Sequence, residues 1–263
     1  MKDCAVVIPI YKLPLPEGEL YVLKRNLLTL KNWPVVFILP SRLSAEWQAS
    51  PSISTLGTAS FFPDRYFNSV DGYNELLLNI RFYWRFRAFQ KILICQLDAI
   101  AVSDELQYWC DKPFSYIGAP WVDGFSVPTL PYKLLGVGNG GFSLRRIAHF
   151  LRLLSIPRVI RTEGGSPALI PPSKWVFFGR KIRGPIVQED AFWSLMKDTY
   201  PWFTTPDPQT ALKFSFEVAP RHMFELNGHR MPFGGHAWEK YDPEFWLERL
   251  PDLTAAFDGE SPR

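Results

Sequence analysis

The chain has 263 residues, of which 47% are hydrophobic and 21% are charged. This balance predicts a packed globule, long enough for one large α/β domain or two small ones, and argues against a disordered chain. The formal net charge of +3 is too small to indicate a nucleic-acid-binding protein, which normally carries a dense basic patch.

Strands and helices alternate in the first 110 residues of the chain. Apolar and β-branched runs predict buried strands, and apolar residues at helical spacing predict helices. The predicted strands are 4–10, 35–39, 59–62 and 91–95, and the predicted helices are 19–31, 41–49, 70–87 and 105–110. This alternation predicts an α/β fold with a mainly parallel central sheet and right-handed crossovers.

The second half of the chain is less regular. The predicted strands are 115–119 and 211–218, and the predicted helices are 144–154, 191–197 and 243–250. Ser143 is the expected cap of the first of these helices. Residues 155–188 read as a long, basic, Pro- and Gly-rich loop, the kind of segment that often serves as a lid or binding loop. No linker is visible, so we predict a single domain, 1–263, with a nucleotide-binding half (about 1–110) and an acceptor-side half (about 111–263).

Cysteine usage and hydropathy bear on the cellular setting. Cys4, Cys95 and Cys110 show no metal-ligand spacing, so neither structural zinc nor a disulfide framework is expected. No segment approaches the roughly 20 apolar residues of a membrane span, and the N-terminal residues lack the apolar run of a signal peptide. We therefore expect a reducing, cytoplasmic setting.

A carboxylate follows the most strongly apolar predicted strand, which ends at Gln96-Leu97-Asp98. Ligands of open α/β sheets bind beyond the carboxyl ends of such strands, so Asp98 is the predicted centre of an active site. Gln96 and Asp98 have the spacing of an Asp-x-Asp motif whose first Asp is replaced. Such a motif holds a divalent cation against a diphosphate. The alternative is that Asp98 caps the following loop.

Three further motifs carry polar groups suited to a ligand. In GNGGFS, 138–143, the glycines let backbone approach a ligand, and Asn139 offers both a donor and an acceptor. Glu189-Asp190 opens a predicted helix, where a carboxylate can act as general base, although acidic residues are also common there for the helix dipole. His236, preceded by two glycines, could supply a neutral imidazole to a metal.

The end of the first predicted strand gives a weaker signal. No glycine-rich loop follows it, which disfavours a dinucleotide cofactor and a P-loop kinase. Tyr11 stands there and could stack on a base, with plain packing as the alternative.

These motifs, in this order, resemble glycosyltransferases of the GT-A fold. More closely, they resemble an uncharacterised family, catalogued as a domain of unknown function, that is often found among bacterial polysaccharide-synthesis proteins. The stretches that carry the resemblance are YNELLLNIRFYWRF (73–86), ILICQLDAIAVSDEL (92–106), YIGAPW (116–121), GNGGFSLR (138–145), QED (188–190) and PFGGHAW (232–238). The N-terminal third matches only in general character.

The resemblance implies a Rossmann-like GT-A fold and transfer of a sugar from a UDP- or GDP-sugar to a hydroxyl of a glycan or lipid-linked acceptor. The donor contacts that it implies are Ile10, Tyr11, Lys12, Asn74, Gln96, Asp98 and Ala99. The sugar or acceptor contacts that it implies are Trp121, Asn139, Gly140 and Gly141. Asp98 and His236 are then the expected ligands of Mn²⁺ or Mg²⁺, with Asp190 as the base and Glu189 orienting the sugar.

Several points stay open at this stage. Gln96 stands where many GT-A enzymes carry Asp, so the Arg and Lys side chains of the 155–188 loop are an open alternative to the metal. The resemblance implies bacterial surface polysaccharide or glycoconjugate synthesis, with peripheral contact at the inner face of the membrane as an open alternative. Two rival functions are a nucleotidyltransferase, which would use a nucleoside triphosphate, and a non-catalytic glycan-binding protein on the same fold.

Overall fold

A computed structural model describes residues 2–125, 127–128, 130–156, 159–161, 167–169 and 188–256 of the chain. In chain order the strands are β1 (Lys2–Pro9), β2 (Val35–Pro40), β3 (Thr58–Phe62), β4 (Phe89–Cys95), β5 (Ile100–Ala101), β6 (Tyr116–Ile117), β7 (Pro120–Val122), β8 (Leu134–Val137), β9 (Phe142–Arg146), β10 (Val159–Arg161), β11 (Pro167–Leu169), β12 (Ser215–Phe216) and β13 (Gly234–Gly235). The α-helices are α1 (Glu17–Thr29), α2 (Ser44–Gln48), α3 (Pro51–Ser54), α4 (Val70–Leu77), α5 (Ile80–Arg85), α6 (Leu106–Cys110), α7 (Ile147–Leu154), α8 (Glu189–Thr199), α9 (Pro208–Phe214), α10 (Pro220–Leu226) and α11 (Pro243–Arg249).

The central sheet has six strands in the order β3-β2-β1-β4-β9-β6. The strands from β3 to β4 pair in parallel, and β9 runs antiparallel to both of its neighbours. This topology confirms the predicted α/β class, with a mixed, mainly parallel central sheet flanked by helices.

Side chains of the central strands alternate between two hydrophobic cores, one on each face of the sheet. Along β1, Ala5 and Val7 enter the first core, and Cys4, Val6 and Ile8 enter the second. The first core is completed by α4, α5, α7 and α8, and the second by α1 and α6. A strand that is covered on both faces must be apolar at successive positions, which explains the unbroken apolar runs in β1 and β4.

A small second sheet joins distant parts of the chain. Its order is β12-β13-β5, with β13 parallel to β12 and antiparallel to β5. Because β5 begins two residues after Asp98, this pairing carries the PFGGHAW segment to the end of β4. The small sheet therefore brings the late part of the chain to the predicted active centre.

Three predicted elements differ from the structure. The predicted helix 144–154 begins only at Ile147, because the preceding residues form β9 and pair with β4, so Ser143 lies in a strand and caps no helix. The first half of the predicted strand 211–218 is the end of α9, and the two-residue β12 follows it. The predicted helix 70–87 is divided into α4 and α5, because the Asn79 side chain accepts a hydrogen bond from the Arg81 N–H and starts a new helix.

The predicted 155–188 loop is only partly described. Two short antiparallel strands, β10 and β11, occupy its described portion, whereas most of its basic residues lie outside the described residues. Elsewhere in the described chain, the three cysteines are free thiols. No helix in that part of the chain is both long enough and apolar enough to cross a membrane.

Candidate active site

The strand order reverses between β1 and β4. From β1 the chain moves to β2 and β3 on one side, and it then returns to place β4 on the other side of β1. In open α/β sheets such a switch point opens a crevice at the carboxyl ends of the two strands, where ligands bind. The residues at this crevice are Tyr11, which follows β1, and Gln96 to Asp98, which follow β4.

Three side chains meet at this crevice around one imidazole. His236 Nε2 lies 3.4 Å from Asp98 Oδ1 and 3.3 Å from Gln96 Oε1, and His236 Nδ1 lies 3.3 Å from Glu217 Oε2. The small sheet creates this cluster, since His236 directly follows β13, Glu217 directly follows β12, and the His236 N–H donates to the Phe216 carbonyl over 3.0 Å. The predicted proximity of His236 to Asp98 is thus present.

The charges of this cluster shift its pKa values. Burial alone would lower the pKa of His236, but the carboxylates of Glu217 and Asp98 outweigh it and raise that pKa well above its ordinary value. Burial would raise the pKa of Asp98, but hydrogen bonding to His236 and its positive charge leave that pKa below the ordinary value. The positively charged His236 therefore attracts the carboxylates of Asp98 and Glu217, which holds these three side chains together when no cation lies between them.

The donor atoms of the cluster fit a divalent cation. Glu217 faces Nδ1, as the carboxylate partner of a metal-bound histidine does, and this leaves Nε2 directed at Asp98 and Gln96. Across the described residues, no group of three His, Cys, Asp or Glu side chains is placed to hold a metal ion. A cation here would therefore depend on Asp98, His236 and the Gln96 amide oxygen, and it would need phosphate oxygens from a ligand, as Mg²⁺ sites commonly do.

The glycines of the GNGG motif make room for side chains of the site. A Cβ on Gly141 would overlap the ring of His236, one on Gly140 would overlap the Glu189 carboxylate, and one on Gly138 would overlap the Trp121 indole. The groups that approach these glycines belong to the protein itself, and the expected close approach of a ligand to them stays a prediction. The motif shapes the wall of the crevice.

Asp190 is a half-buried carboxyl in the first turn of α8. Burial and the negative charges of Glu189 and Glu217 raise the pKa of Asp190 to about 6, against a smaller opposing effect of the hydrogen bond from the Ala191 N–H to Oδ1, 2.7 Å long. A carboxylate whose pKa is raised in this way is suited to accept a proton near neutral pH.

Glu189 has a different environment from its neighbour. Its oxygens accept hydrogen bonds from Arg145 Nη2 (2.8 Å) and Nη1 (3.0 Å) and from Trp193 Nε1, and its side chain is 5% exposed. Arg145 also contacts Tyr83 and the Gly140 carbonyl. Both carboxylate oxygens are thus paired with groups that fix the start of α8 against the GNGG loop, and the expected role of Glu189 in orienting a sugar stays a prediction.

The remaining predicted residues divide into buried and accessible groups. Ile10 and Ala99 are fully buried, and Asn74, also buried, accepts a hydrogen bond from the Glu189 N–H. Tyr11 is half-buried with its ring edge-on to Phe67 and Tyr73, which is packing rather than an open stacking face. The side chains at these positions are engaged by the core or by α8, and their expected contacts with a donor stay predictions.

The accessible predicted residues lie on the acceptor side and at the end of β1. Trp121 and Asn139 are half-buried and joined by a hydrogen bond from the indole Nε1 to Oδ1 of 3.2 Å, with Asn139 in the left-handed region at φ 57°. Lys12 is exposed, 3.5 Å from Glu19. All three side chains are at least partly exposed, and their expected contacts with a ligand stay predictions.

Sequence reasoning missed two residues of this site. Glu217 lay inside a segment predicted to be a strand, and its only signal is a carboxylate directly after a short apolar run, as at Asp98. Arg145 is the last residue of the GNGGFSLR stretch, and the sequence predicted no role for it. Its local sequence gives no clear signal, because β9 reads FSLRR and carries two adjacent arginines, of which only Arg145 is buried.

Comparisons with known proteins give one family and several solved structures. Residues 58–236 match the sequence profile of a family described as "Protein of unknown function (DUF5672)", in agreement with the expected resemblance to an uncharacterised family. No curated protein matches the chain significantly.

Three solved structures show partial similarity. The galactosyltransferase LgtC, in complex with donor and acceptor sugar analogs, is 11% identical, with a TM-score of 0.45 over 96% of this chain and 95% of that chain. A putative glucose-1-phosphate thymidylyltransferase from Bacillus anthracis, in complex with a sucrose, is 10% identical, with a TM-score of 0.39 over 59% and 76%. A cytidylyltransferase from Leptospira borgpetersenii serovar Hardjo-bovis is 10% identical, with a TM-score of 0.35 over 60% of this chain and 66% of that chain. Such values carry no information about substrate or mechanism.

Proposed function

The chain belongs to the family described as DUF5672, and we propose that it is a glycosyltransferase that moves a sugar from a nucleoside-diphosphate sugar to an acceptor hydroxyl. One observation carries the proposal. At the switch point of the sheet, Asp98, Gln96 and His236 come together as side chains of kinds that can bind a cation, and the charge of Glu217, which contacts His236, helps to raise the pKa of the Asp190 carboxyl to about 6. The diphosphate of the donor needs groups that bind a cation, and the hydroxyl nucleophile needs a base that accepts its proton.

In the proposed reaction the acceptor oxygen attacks the anomeric carbon of the donor sugar. A bond forms between that carbon and the acceptor oxygen, the bond from the carbon to the diphosphate oxygen breaks, and the hydroxyl proton passes to Asp190. The nucleoside diphosphate leaves with the electron pair of the broken bond. Asp190 is suited to this role because its raised pKa lets it both lose and accept a proton near neutral pH.

The cluster around His236 would bind the diphosphate end of the donor. Asp98, His236 and the Gln96 amide oxygen would hold Mn²⁺ or Mg²⁺, and the cation, when bound, would neutralise charge on the diphosphate. Glu217 would fix the orientation of the imidazole. Trp121 and Asn139 would border the transferred sugar or the acceptor, and Glu189, paired with Arg145, would position the helix that carries Asp190.

A thermal-shift panel tests this proposal. The ligands are UDP, GDP, CMP and their common sugar conjugates, each with Mn²⁺ and with a chelator. A ligand present at about 100 times its dissociation constant adds roughly 2.7 kcal/mol, and about 1 kcal/mol moves the midpoint of a protein of this size by some 2–4 °C. We expect one nucleotide to raise the midpoint in Mn²⁺, and Asp98→Asn to abolish that shift.

The controls separate the possible outcomes of the panel. Asp104→Asn changes an exposed carboxylate that accepts a hydrogen bond from the Asn32 amide, 3.1 Å away, and it should leave the shift intact. A shift that survives chelation would support the proposed transferase but exclude the proposed metal from nucleotide binding. If no nucleotide shifts the midpoint, the proposed donor site is refuted and a glycan-binding protein becomes the better reading.

Gly141→Ala should weaken nucleotide binding in the presence of Mn²⁺ by about 10–100-fold, the usual cost of disturbing groups that support a metal ligand. The added Cβ would overlap the His236 ring and push it away from Asp98 and Gln96. Isothermal titration with the nucleotide found in the panel measures the effect.

Gly136→Ala is the matched control for this substitution. Its Cβ would meet no atom nearer than Ser194 Oγ at 3.7 Å, an ordinary contact, so its affinity should equal that of the wild type. Equal affinities for all three proteins would mean that His236 does not hold the diphosphate end of the donor.

The rate of transfer should fall as pH drops through about 6. Asp190 must be ionised to accept a proton, and its pKa is raised to about 6, so kcat/KM should lose about tenfold for each pH unit below that value. The profile is measured between pH 5 and 8 with donor and metal saturating at each point. A flat profile across this range would contradict the assignment of Asp190 as the base.

A further inference from the structure

An exposed apolar loop joins β7 and β8 next to the proposed site. Phe125, Val127, Leu130 and Leu135 expose 56%, 75%, 78% and 43% of their surfaces. They are four of the nine exposed large hydrophobic residues in the described part of the chain, although they lie within only 11 residues of one another. Scattered exposed apolar side chains are ordinary, but a concentration of them marks a surface that contacts something.

The backbone of this loop is held by hydrogen bonds, so its apolar side chains project from an ordered turn. The Asp123 N–H donates to the Lys133 carbonyl over 2.8 Å, the Phe125 N–H to the Val122 carbonyl over 2.9 Å, and the Val127 N–H to the Gly124 carbonyl over 3.0 Å. Gly124 has φ of 86°, which favours glycine at this turn. The turn therefore presents the apolar side chains outward instead of folding them into a core.

The loop is continuous with the acceptor side of the crevice. The Trp121 ring lies 5.9 Å from the ring of Phe125 on one side, and its Nε1 donates to Asn139 on the other. Trp121 also lies directly against Gly138 of the GNGG loop. The Trp121 indole therefore links a polar group suited to a sugar, Asn139, with the exposed apolar surface that begins at Phe125.

We propose that the acceptor is amphiphilic: its hydroxyl-bearing sugar enters the crevice beside Asn139, and its apolar chain lies along the loop that carries Phe125, Val127 and Leu130. This inference rests on the proposed transferase function and adds the substrate class, a lipid-linked acceptor. A protein partner fits less well, because a stable protein interface takes roughly 20–30 residues from each side, whereas this apolar surface consists of a few side chains. An alkyl chain matches both its size and its lack of charge.

The test compares binding of octyl β-D-glucoside, below its micelle concentration, with binding of methyl β-D-glucoside by isothermal titration. The two probes share one sugar and differ only in the alkyl chain. We expect the wild type to bind the octyl glycoside at least about tenfold more tightly, because the longer chain buries more apolar surface. This measurement needs no turnover and no identified donor.

The variants locate the preference on the loop. Val127→Ser with Leu130→Ser should reduce the octyl-to-methyl affinity ratio to near one. Val70→Ser with Leu28→Ser is the matched control, because those side chains are 75% and 71% exposed and lie on other elements, and it should keep the wild-type ratio. Both double variants should keep the nucleotide-induced thermal shift.

Each outcome bears on one proposal. A wild-type ratio near one, or a loop variant that keeps the preference for the octyl glycoside, overturns the lipid-linked acceptor. An equal loss in the control variant also overturns it, since the preference would then be general detergent binding. Absence of any nucleotide shift in the panel refutes the transferase itself, so the two failures are distinguishable.

Discussion

Replacing Asp190 with Asn is expected to lower kcat by about 10²–10⁴-fold while leaving nucleotide binding close to that of the wild type. The amide has nearly the shape of the carboxyl and can still accept the hydrogen bond from the Ala191 N–H, so the start of α8 should be preserved. It cannot take up the proton of the acceptor hydroxyl. The loss should therefore appear in the chemical step, measured as kcat with saturating donor and acceptor, and the acidic limb of the pH profile near 6 should disappear.

Asp198→Asn provides the matched control on the same helix. Asp198 is exposed near the end of α8, where it has no contact with the crevice cluster, so its kcat should be unchanged. The assignment of Asp190 as base is contradicted if Asp190→Asn loses nucleotide affinity yet turns over normally at saturation. That pattern would make Asp190 a donor-binding group.

Replacing Arg145 with Met is expected to lower the free energy of unfolding by about 3–5 kcal/mol, the usual cost of removing one partner of a buried ion pair. Arg145 is fully buried, and its guanidinium forms two hydrogen bonds with the Glu189 carboxylate. Met fills a similar volume, so the main loss is the pairing of Glu189, which then remains in the interior as an uncompensated charge. Urea denaturation measures the change, and the thermal midpoint should fall by about 6–20 °C.

A surface ion pair serves as the comparison for this buried one. Arg221 pairs with Asp242 and Glu248, but its side chain is 44% exposed, so Arg221→Met should cost less than about 1 kcal/mol. If both substitutions cost the same small amount, the Arg145–Glu189 pair does not stabilise the start of α8. The positioning role proposed for Glu189 would then fail with it.

Sequence patterns located the centre of the site because two simple constraints act there. A strand that is buried on both faces must be apolar throughout, so β4 stood out, and a carboxylate directly after such a strand has no packing role that would explain it. Asp98 was identified as a candidate on this basis, and the switch point between β1 and β4 places it at the candidate site. The charges and identities of the side chains that surround Asp98 could not be predicted in the same way.

Errors in the predicted elements arose where the pattern is short. An apolar run of four to eight residues is compatible with a strand or with a buried helix segment, and at 211–218 the structure has a helix that ends just before a two-residue strand. At 144–154 the helical spacing was real, but the pairing of β9 with β4 took the first residues into the sheet. Long-range pairing decided the second case. At 211–218 the local sequence does mark the start of the helix, because Asp207 caps α9 and Pro208 stands in its first turn.

The amino-acid sequence by itself determined the α/β class, the buried strands and the identity of Asp98, Asp190 and His236 as candidate groups, because each depends on a local pattern of burial or charge. Only the tertiary structure decided which groups meet. His236 and Gln96 are 140 positions apart in sequence, and they are joined because β13 pairs with β5. Glu189 and Asp190 are adjacent in the chain yet differ in environment, because Glu189 pairs with a buried Arg whereas burial and the charges of Glu189 and Glu217 raise the pKa of Asp190. A side chain's chemistry depends on the charges and the solvent around it, and those are set by contacts between segments that are distant in the sequence.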